Sequence, residues 1–168
     1  LIKICGIKSL KHVKVADKNG ARWYGLVFFK KSPRNIDLQE AEMIVKQSPK
    51  SISPVAVTVN PDQDFINKLV DIGISNIQLH GEESEEYCLY LKKIFNIKIF
   101  KGIGVDSLED LKRAKNFEKI ASWIVLDKKD RNLYGGTGEN FDWSIMNKAD
   151  INDSYIISGG LKIDNVFD

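Results

Sequence analysis

Leu1-Ile2-Lys3-Ile4-Cys5-Gly6-Ile7-Lys8-Ser9 opens the chain and decides between two folds. Its first five residues form a short apolar run, rich in isoleucine and too short for a helix, so they read as a strand. The strand ends on a cysteine and turns at a glycine. A doubly wound open sheet follows its first strand with a Gly-rich phosphate loop. Cys5-Gly6-Ile7-Lys8-Ser9 contains no G-x-G-x-x-G, which favours a closed ring of parallel strands.

Six further runs of the same kind follow: Tyr24–Phe29, Pro54–Val59, Asn76–Leu79, Ile97–Lys101, Trp123–Asp127 and Tyr155–Ile157. Amphipathic stretches lie between them. Asn19-Gly20 closes the first helix. Asp37, Asp62 and Ser84 are expected N-caps, Gly73 ends the helix that Asp62 begins, and Ser107 precedes a helical stretch with Glu109 and Asp110 in its first turn. Uninterrupted strand–helix alternation predicts a parallel sheet with crossover helices. The fold class expected is α/β, a (β/α)8 TIM barrel, whose chemistry sits at the C-terminal ends of the strands. Strand starts recur roughly every 26 residues, so eight units need about 205. Residues 1–168 are therefore expected to form one barrel domain from which the eighth βα unit is absent. Such a barrel exposes two strand edges. A longer natural chain or a partner would fill the gap, or the molecule is a fragment.

A hydrophobic content of 43% in 168 residues suffices for a core. The net charge of +2, with lysines spread along the chain, gives no reason to expect nucleic acid or an anionic membrane as partner. The apolar runs are far shorter than the roughly 20 residues that span a bilayer. Cys5 and Cys88 fit neither a zinc site nor a disulfide framework. Together with the lack of a signal-peptide pattern, they suggest a reducing, cytoplasmic location. No Walker motif, metal-ligand cluster or Ser-His-Asp pattern is present, which argues against a nucleoside triphosphatase, a metalloenzyme and a serine hydrolase.

The unusual residues fall at strand ends. Cys5 can be a small buried hydrophobe, or a base or nucleophile. Asp127 can cap a helix or pair with Lys128 or Lys129. As a general acid it would need its pKa raised by low polarity or a nearby anion. Arg34 follows the second strand in Ser32-Pro33-Arg34. It is a surface arginine or a planar fork for a carboxylate or phosphate. In Gln78-Leu79-His80-Gly81, alternation points Gln78 and His80 to one side, suggesting a wet pocket or a packed, hydrogen-bonded histidine. Gly135-Gly136-Thr137-Gly138 is a flexible loop, or a lid that offers backbone N–H groups to an anion. Ser158-Gly159-Gly160 follows strand seven, where this fold commonly holds a phosphate. His12, among lysines, reads as surface.

Taken together, these segments resemble the phosphoribosylanthranilate isomerase family. The matching pieces are Lys3-Ile4-Cys5-Gly6-Ile7, Gly25-Leu26-Val27-Phe28, Ser32-Pro33-Arg34, Val57-Thr58-Val59-Asn60 and Gln78-Leu79-His80-Gly81, followed by Leu126-Asp127, Gly135-Gly136-Thr137-Gly138 with Phe141-Asp142-Trp143, and Ser158-Gly159-Gly160-Leu161. They occur in the family's order. The resemblance implies an Amadori rearrangement of a phosphoribosyl aminosugar in tryptophan biosynthesis, without cofactor or metal. It implies Asp127 as general acid and Cys5 as general base. Arg34 would hold the anthranilate carboxylate, with Gln78 and His80 lining the pocket. Gly136, Gly159 and Gly160 would form the lid and part of the phosphate cradle. The partner implied is a small phosphosugar, and the molecule is a monomer or homodimer. The family's eighth strand, with its Asp and phosphate loop, is not in these residues.

Two rivals stand beside this reading. An indole-glycerol-phosphate synthase or a ribulose-phosphate epimerase would need catalytic lysines, for which Lys3 and Lys101 are candidates, or metal-binding histidines. A non-catalytic or partner-dependent phosphosugar-binding fragment would explain the missing unit.

Overall fold

The computed structural model describes residues 1–129, 145 and 154–166. Its first half runs β1 (Lys3–Cys5), α1 (Leu10–Lys18), β2 (Trp23–Phe28), α2 (Leu38–Gln47), β3 (Ser53–Thr58) and α3 (Gln63–Asp71). It continues with β4 (Asn76–Leu79), α4 (Glu85–Ile94), β5 (Lys98–Val105), α5 (Leu108–Lys115), β6 (Trp123–Lys128) and β7 (Tyr155–Ile157). The seven strands form one parallel sheet in the order β1-β2-β3-β4-β5-β6-β7. A doubly wound sheet reverses its order at a switch point. This one never does, which is the strand order of a TIM-barrel-type fold.

Local chemistry starts each helix. Asp37, Asp62 and Ser84 accept from backbone amides three residues on, as expected, and Ser9 and Ser107 do the same for α1 and α5. At α2 the cap is reciprocal, with Glu40 reaching back to the Asp37 amide at 3.0 Å. β5 outruns its expected end at Lys101 because Gly102 and Gly104 look like punctuation in sequence. In the sheet they pair with Val125 and Asp127 of β6.

Alternation along the strands divides the core into two layers. Outward-facing Tyr24, Leu26, Ala56, Ile77, Leu79, Ile99, Ile124 and Leu126 pack against helix residues such as Val13, Ala41, Ile66, Leu69, Leu91 and Leu111. Each fully buried aliphatic side chain here stabilises the fold by roughly 1.5–3 kcal/mol. Inward-facing Trp23, Val55, Phe100 and Val125 form a separate cluster with Trp123 and Ile156. Trp23 meets Phe100 and Trp123 edge-on, with ring centroids 5.4 and 5.1 Å apart. Trp23 and Trp123 begin their strands, so the aromatic cluster covers the N-terminal end of the sheet's inner face. Gly25, Val27, Val57 and Gly102 follow them along the strands, and these small side chains leave space toward the C-terminal ends.

Candidate active site

That space is a cavity of about 550 Å³. Among its walls are Cys5, Arg34, Gln78, His80, Asp127, Gly159 and Gly160. They come from five separate stretches of chain, brought together because consecutive strands are neighbours in the sheet. Gly136, with the rest of Gly135–Gly138 and Phe141-Asp142-Trp143, lies outside the described residues. His12 is exposed on α1.

Cys5 ends β1 opposite Gly25 of β2. A Cβ on Gly25 would lie 2.8 Å from the Cys5 sulfur and 3.2 Å from Lys3 Nζ. Only glycine at that position admits both side chains to the cavity. Gly6 turns the chain at φ +85°, and its amide and that of Ile7 donate to the Gly25 carbonyl at 2.9 and 3.0 Å. A side chain on Gly6 would meet Arg34 Cδ at 2.4 Å, so the arginine lies across this turn. The Arg34 loop is pinned by its own amide to Ser32 Oγ at 3.2 Å and by Ile36 N to the Val27 carbonyl at 3.0 Å.

Gln78 and His80 face the cavity from one side of β4, as alternation requires. Gln78 Nε2 stands 2.7 Å from His80 Nδ1, while Gln78 Oε1 is buried with no hydrogen-bond partner among the described residues. Burial, reinforced by the positive charges of Lys3, Lys101 and Arg34, pushes the His80 imidazole down to about 4. His80 is therefore neutral at pH 7. With the Gln78 amide nitrogen assigned toward Nδ1, the ring proton sits on Nε2. Nε2 lies 3.7 Å from Asp127 Oδ2, beyond a direct hydrogen bond.

Asp127 is 8% exposed. Its Oδ1 accepts from the Lys128 amide at 2.9 Å. Burial raises its pKa, against the opposing pull of that amide, the Ser158 hydroxyl and the charges of Arg34 and Lys3. The neighbouring lysines leave it alone. Lys128 Nζ binds Asp106 at 3.2 Å and Lys129 Nζ binds Asp110 at 2.7 Å. The ion-pair alternative for Asp127 is therefore not what this structure holds. A carboxyl biased toward its protonated form thus shares one cavity with an exposed thiol.

Ser158-Gly159-Gly160 crosses the rim, anchored by the Ser158 amide and hydroxyl on the Leu126 carbonyl at 2.7 and 3.1 Å. Gly159 and Gly160 take φ of +81° and +66°, a run that residues with side chains rarely adopt.

Lys101 does not reach this cavity. It faces the helix side of the sheet, over the Phe117 ring, and its Nζ pairs with Glu83 at 2.8 Å. That removes one of the two lysines on which a lysine-dependent synthase reading rested. Sequence reasoning did not single out Gly25 and Gly102 as spacers. Their signal was a glycine inside a strand pattern, which marks close approach of another group. Among the described residues, no group of three or more His, Cys, Asp or Glu side chains is arranged to hold a metal ion.

A TIM-barrel-type sheet whose strand ends present a carboxyl, a thiol and an arginine to one cavity defines a class: barrel enzymes that work on a small molecule at the C-terminal rim. Comparison with known proteins narrows it. The family description N-(5'-phosphoribosyl)anthranilate (PRA) isomerase matches residues 2–168. The N-(5'-phosphoribosyl)anthranilate isomerase of Agrobacterium fabrum is 37% identical over 169 residues, covering 98% of this chain and 77% of that protein. The crystal structure of phosphoribosyl anthranilate isomerase from Thermotoga maritima superposes with a TM-score of 0.86 at 33% identity, covering 98% of this chain and 79% of that one. A phosphoribosyl anthranilate isomerase in complex with reduced 1-(o-carboxyphenylamino)-1-deoxyribulose 5-phosphate gives 0.83 at 32% identity, covering 99% and 78%. This chain belongs to the N-(5'-phosphoribosyl)anthranilate isomerase family.

Proposed function

We infer that this chain rearranges N-(5-phosphoribosyl)anthranilate to 1-(2-carboxyphenylamino)-1-deoxyribulose 5-phosphate, an aldose–ketose isomerisation of tryptophan biosynthesis. The observation that carries the assignment of roles is one cavity holding the buried carboxyl of Asp127 and the thiol of Cys5. Asp127, kept toward its protonated form by burial, gives its proton to the furanose ring oxygen. The C1–O bond breaks toward that oxygen, and the nitrogen lone pair forms a C1=N iminium. The iminium acidifies the C2–H bond, and Cys5 removes that proton to leave an enolamine. C1 then gains a proton and the C2 hydroxyl loses its own. C1 is reduced and C2 oxidised within one molecule, so the electrons balance without a redox partner.

Arg34, held across Gly6, faces the anthranilate carboxylate with a planar pair of donors. Gly159 and Gly160 bring backbone to the phosphate end. Gln78 and the neutral His80 line the wall between. The same proposal takes the seven strands as part of an eight-unit ring within one domain. Supporting it, β1 and β7 each have one strand neighbour among the described residues, and Ile2, Ile4 and Ile157, in or next to these two strands, are exposed. Free thiols at Cys5 and Cys88 suit a reducing cytoplasm.

The test follows loss of the fluorescent substrate. Cys5→Ala and Asp127→Asn should each lower kcat by roughly 10²- to 10⁴-fold while circular dichroism stays unchanged. Near-wild-type turnover by either variant sinks the roles. No turnover by the wild-type protein sinks the function.

A further inference from the structure

Lys101 and Glu83 stand out on the other side of the sheet from the cavity. Both are buried, with side chains 2% and 1% exposed, and they pair at 2.8 Å. Replacing such a buried pair by apolar residues is often neutral or stabilising, so fold stability alone does not explain it. Its hydrogen bonds do. Lys101 Nζ donates to the carbonyls of Leu79 at 3.3 Å and Gly81 at 2.7 Å. Glu83 accepts from the Gly81 amide, at 2.9 Å on Oε2 and 3.2 Å on Oε1, and from the Asn60 amide at 2.8 Å.

The residue between Leu79 and Gly81 is His80. The peptide before it is held by Lys101 through the Leu79 carbonyl, and by Thr58, whose carbonyl accepts from the His80 amide at 2.9 Å. The peptide after it is held by Glu83 through the Gly81 amide. The backbone on both sides of the histidine is thus gripped by one ion pair. The next residue of β5 completes the arrangement on the inner face. A Cβ on Gly102 would lie 2.3 Å from His80 Nδ1, so the ring fits only because that side chain is absent.

We propose that Lys101 and Glu83 are positioning residues for the reaction: from outside the ring they fix the backbone of His80, and so aim its imidazole at Asp127. An apolar pair could fill the same volume but could not hold carbonyls and amides at once. Asn60, in a left-handed conformation at φ +46°, ties the β3 end into the same brace, with its side-chain oxygen accepting from the Glu82 amide at 2.9 Å.

This rests on the isomerase reading only for its kinetic arm. In the full natural chain, Lys101→Met should lower kcat by roughly 10- to 100-fold, with KM within about threefold of wild type. Imidazole ¹⁵N shifts of His80 in substrate-free protein should change from a single Nε2–H tautomer to a mixture. Glu83→Gln, nearly isosteric, should move both readouts the same way by less, and it carries the test alone if Lys101→Met does not fold. A folded variant with wild-type kcat and an unchanged tautomer overturns the proposal. So does a raised KM with kcat preserved, because the pair would then act on binding. The NMR arm needs no substrate, so it separates failure here from failure of the isomerase reading.

Discussion

Gly102→Ala is the smallest perturbation that should disable this site. The methyl group would be placed 2.3 Å from His80 Nδ1, 2.7 Å from Cγ and 2.9 Å from Cε1. Relieving that overlap to ordinary van der Waals distance requires a relative shift of about 1 Å. The ring cannot swing away freely. Its Nδ1 is 2.7 Å from the Gln78 amide, and its backbone is held by the Lys101–Glu83 pair. The shift therefore strains the Gln78 contact and moves Nε2 relative to Asp127. A displacement of about 1 Å at a reacting constellation lowers kcat by on the order of 100-fold. Overpacking a buried site costs about 1–3 kcal/mol, so Tm should fall by roughly 2–12 °C and leave a folded protein at room temperature. Substrate fluorescence gives kcat, and a circular-dichroism melt gives Tm. A folded Gly102→Ala protein with kcat within about threefold of wild type would refute the reasoning, because the placement of His80 would then not matter to the reaction.

Two further outcomes are expected. His80 titrates at about 4 in the folded protein, below its ordinary 6.5. The unfolded chain therefore takes up a proton first as pH falls, and stability is lost between those values, by roughly 3 kcal/mol across the window. Urea unfolding at pH 7.5 and pH 4 should show this loss, and His80→Gln should flatten it; an equal loss in the variant excludes His80 as the cause. Gly6→Ala forces a side chain into a φ of +85° and against Arg34 Cδ at 2.4 Å. The strained backbone costs about 1–2 kcal/mol. The displaced guanidinium should raise KM more than it lowers kcat, and an unchanged KM would remove Arg34 from substrate binding.

The fold was largely legible because its signals are local. Short runs such as Asn76–Leu79 and Tyr155–Ile157 are strands with the bounds their apolarity suggested. The caps at Asp37, Asp62, Ser84 and Ser107 are satisfied by amides a few residues away. Where sequence reading failed, the cause was a neighbour distant along the chain. Lys101 at the expected end of its strand looked like a candidate for the mouth of the ring. One step of alternation sends it to the opposite face, where Glu83 waits. Lys128 and Lys129 are adjacent to Asp127 in sequence, yet Asp106 and Asp110 take them.

By itself, the sequence determined the alternation of elements, their caps, and the placing of Cys5, Arg34, His80 and Asp127 at strand ends. Those follow from periodicity and short-range hydrogen bonding. Only the tertiary structure decided how these residues meet. Gly25 makes room for the Cys5 sulfur, Gly6 for the Arg34 chain and Gly102 for the His80 ring, each across a gap in sequence. It also decided the electrostatics. Burial holds His80 neutral and biases Asp127 toward its proton. Burial depends on every strand and helix packed around a group, and no short stretch of chain contains that information.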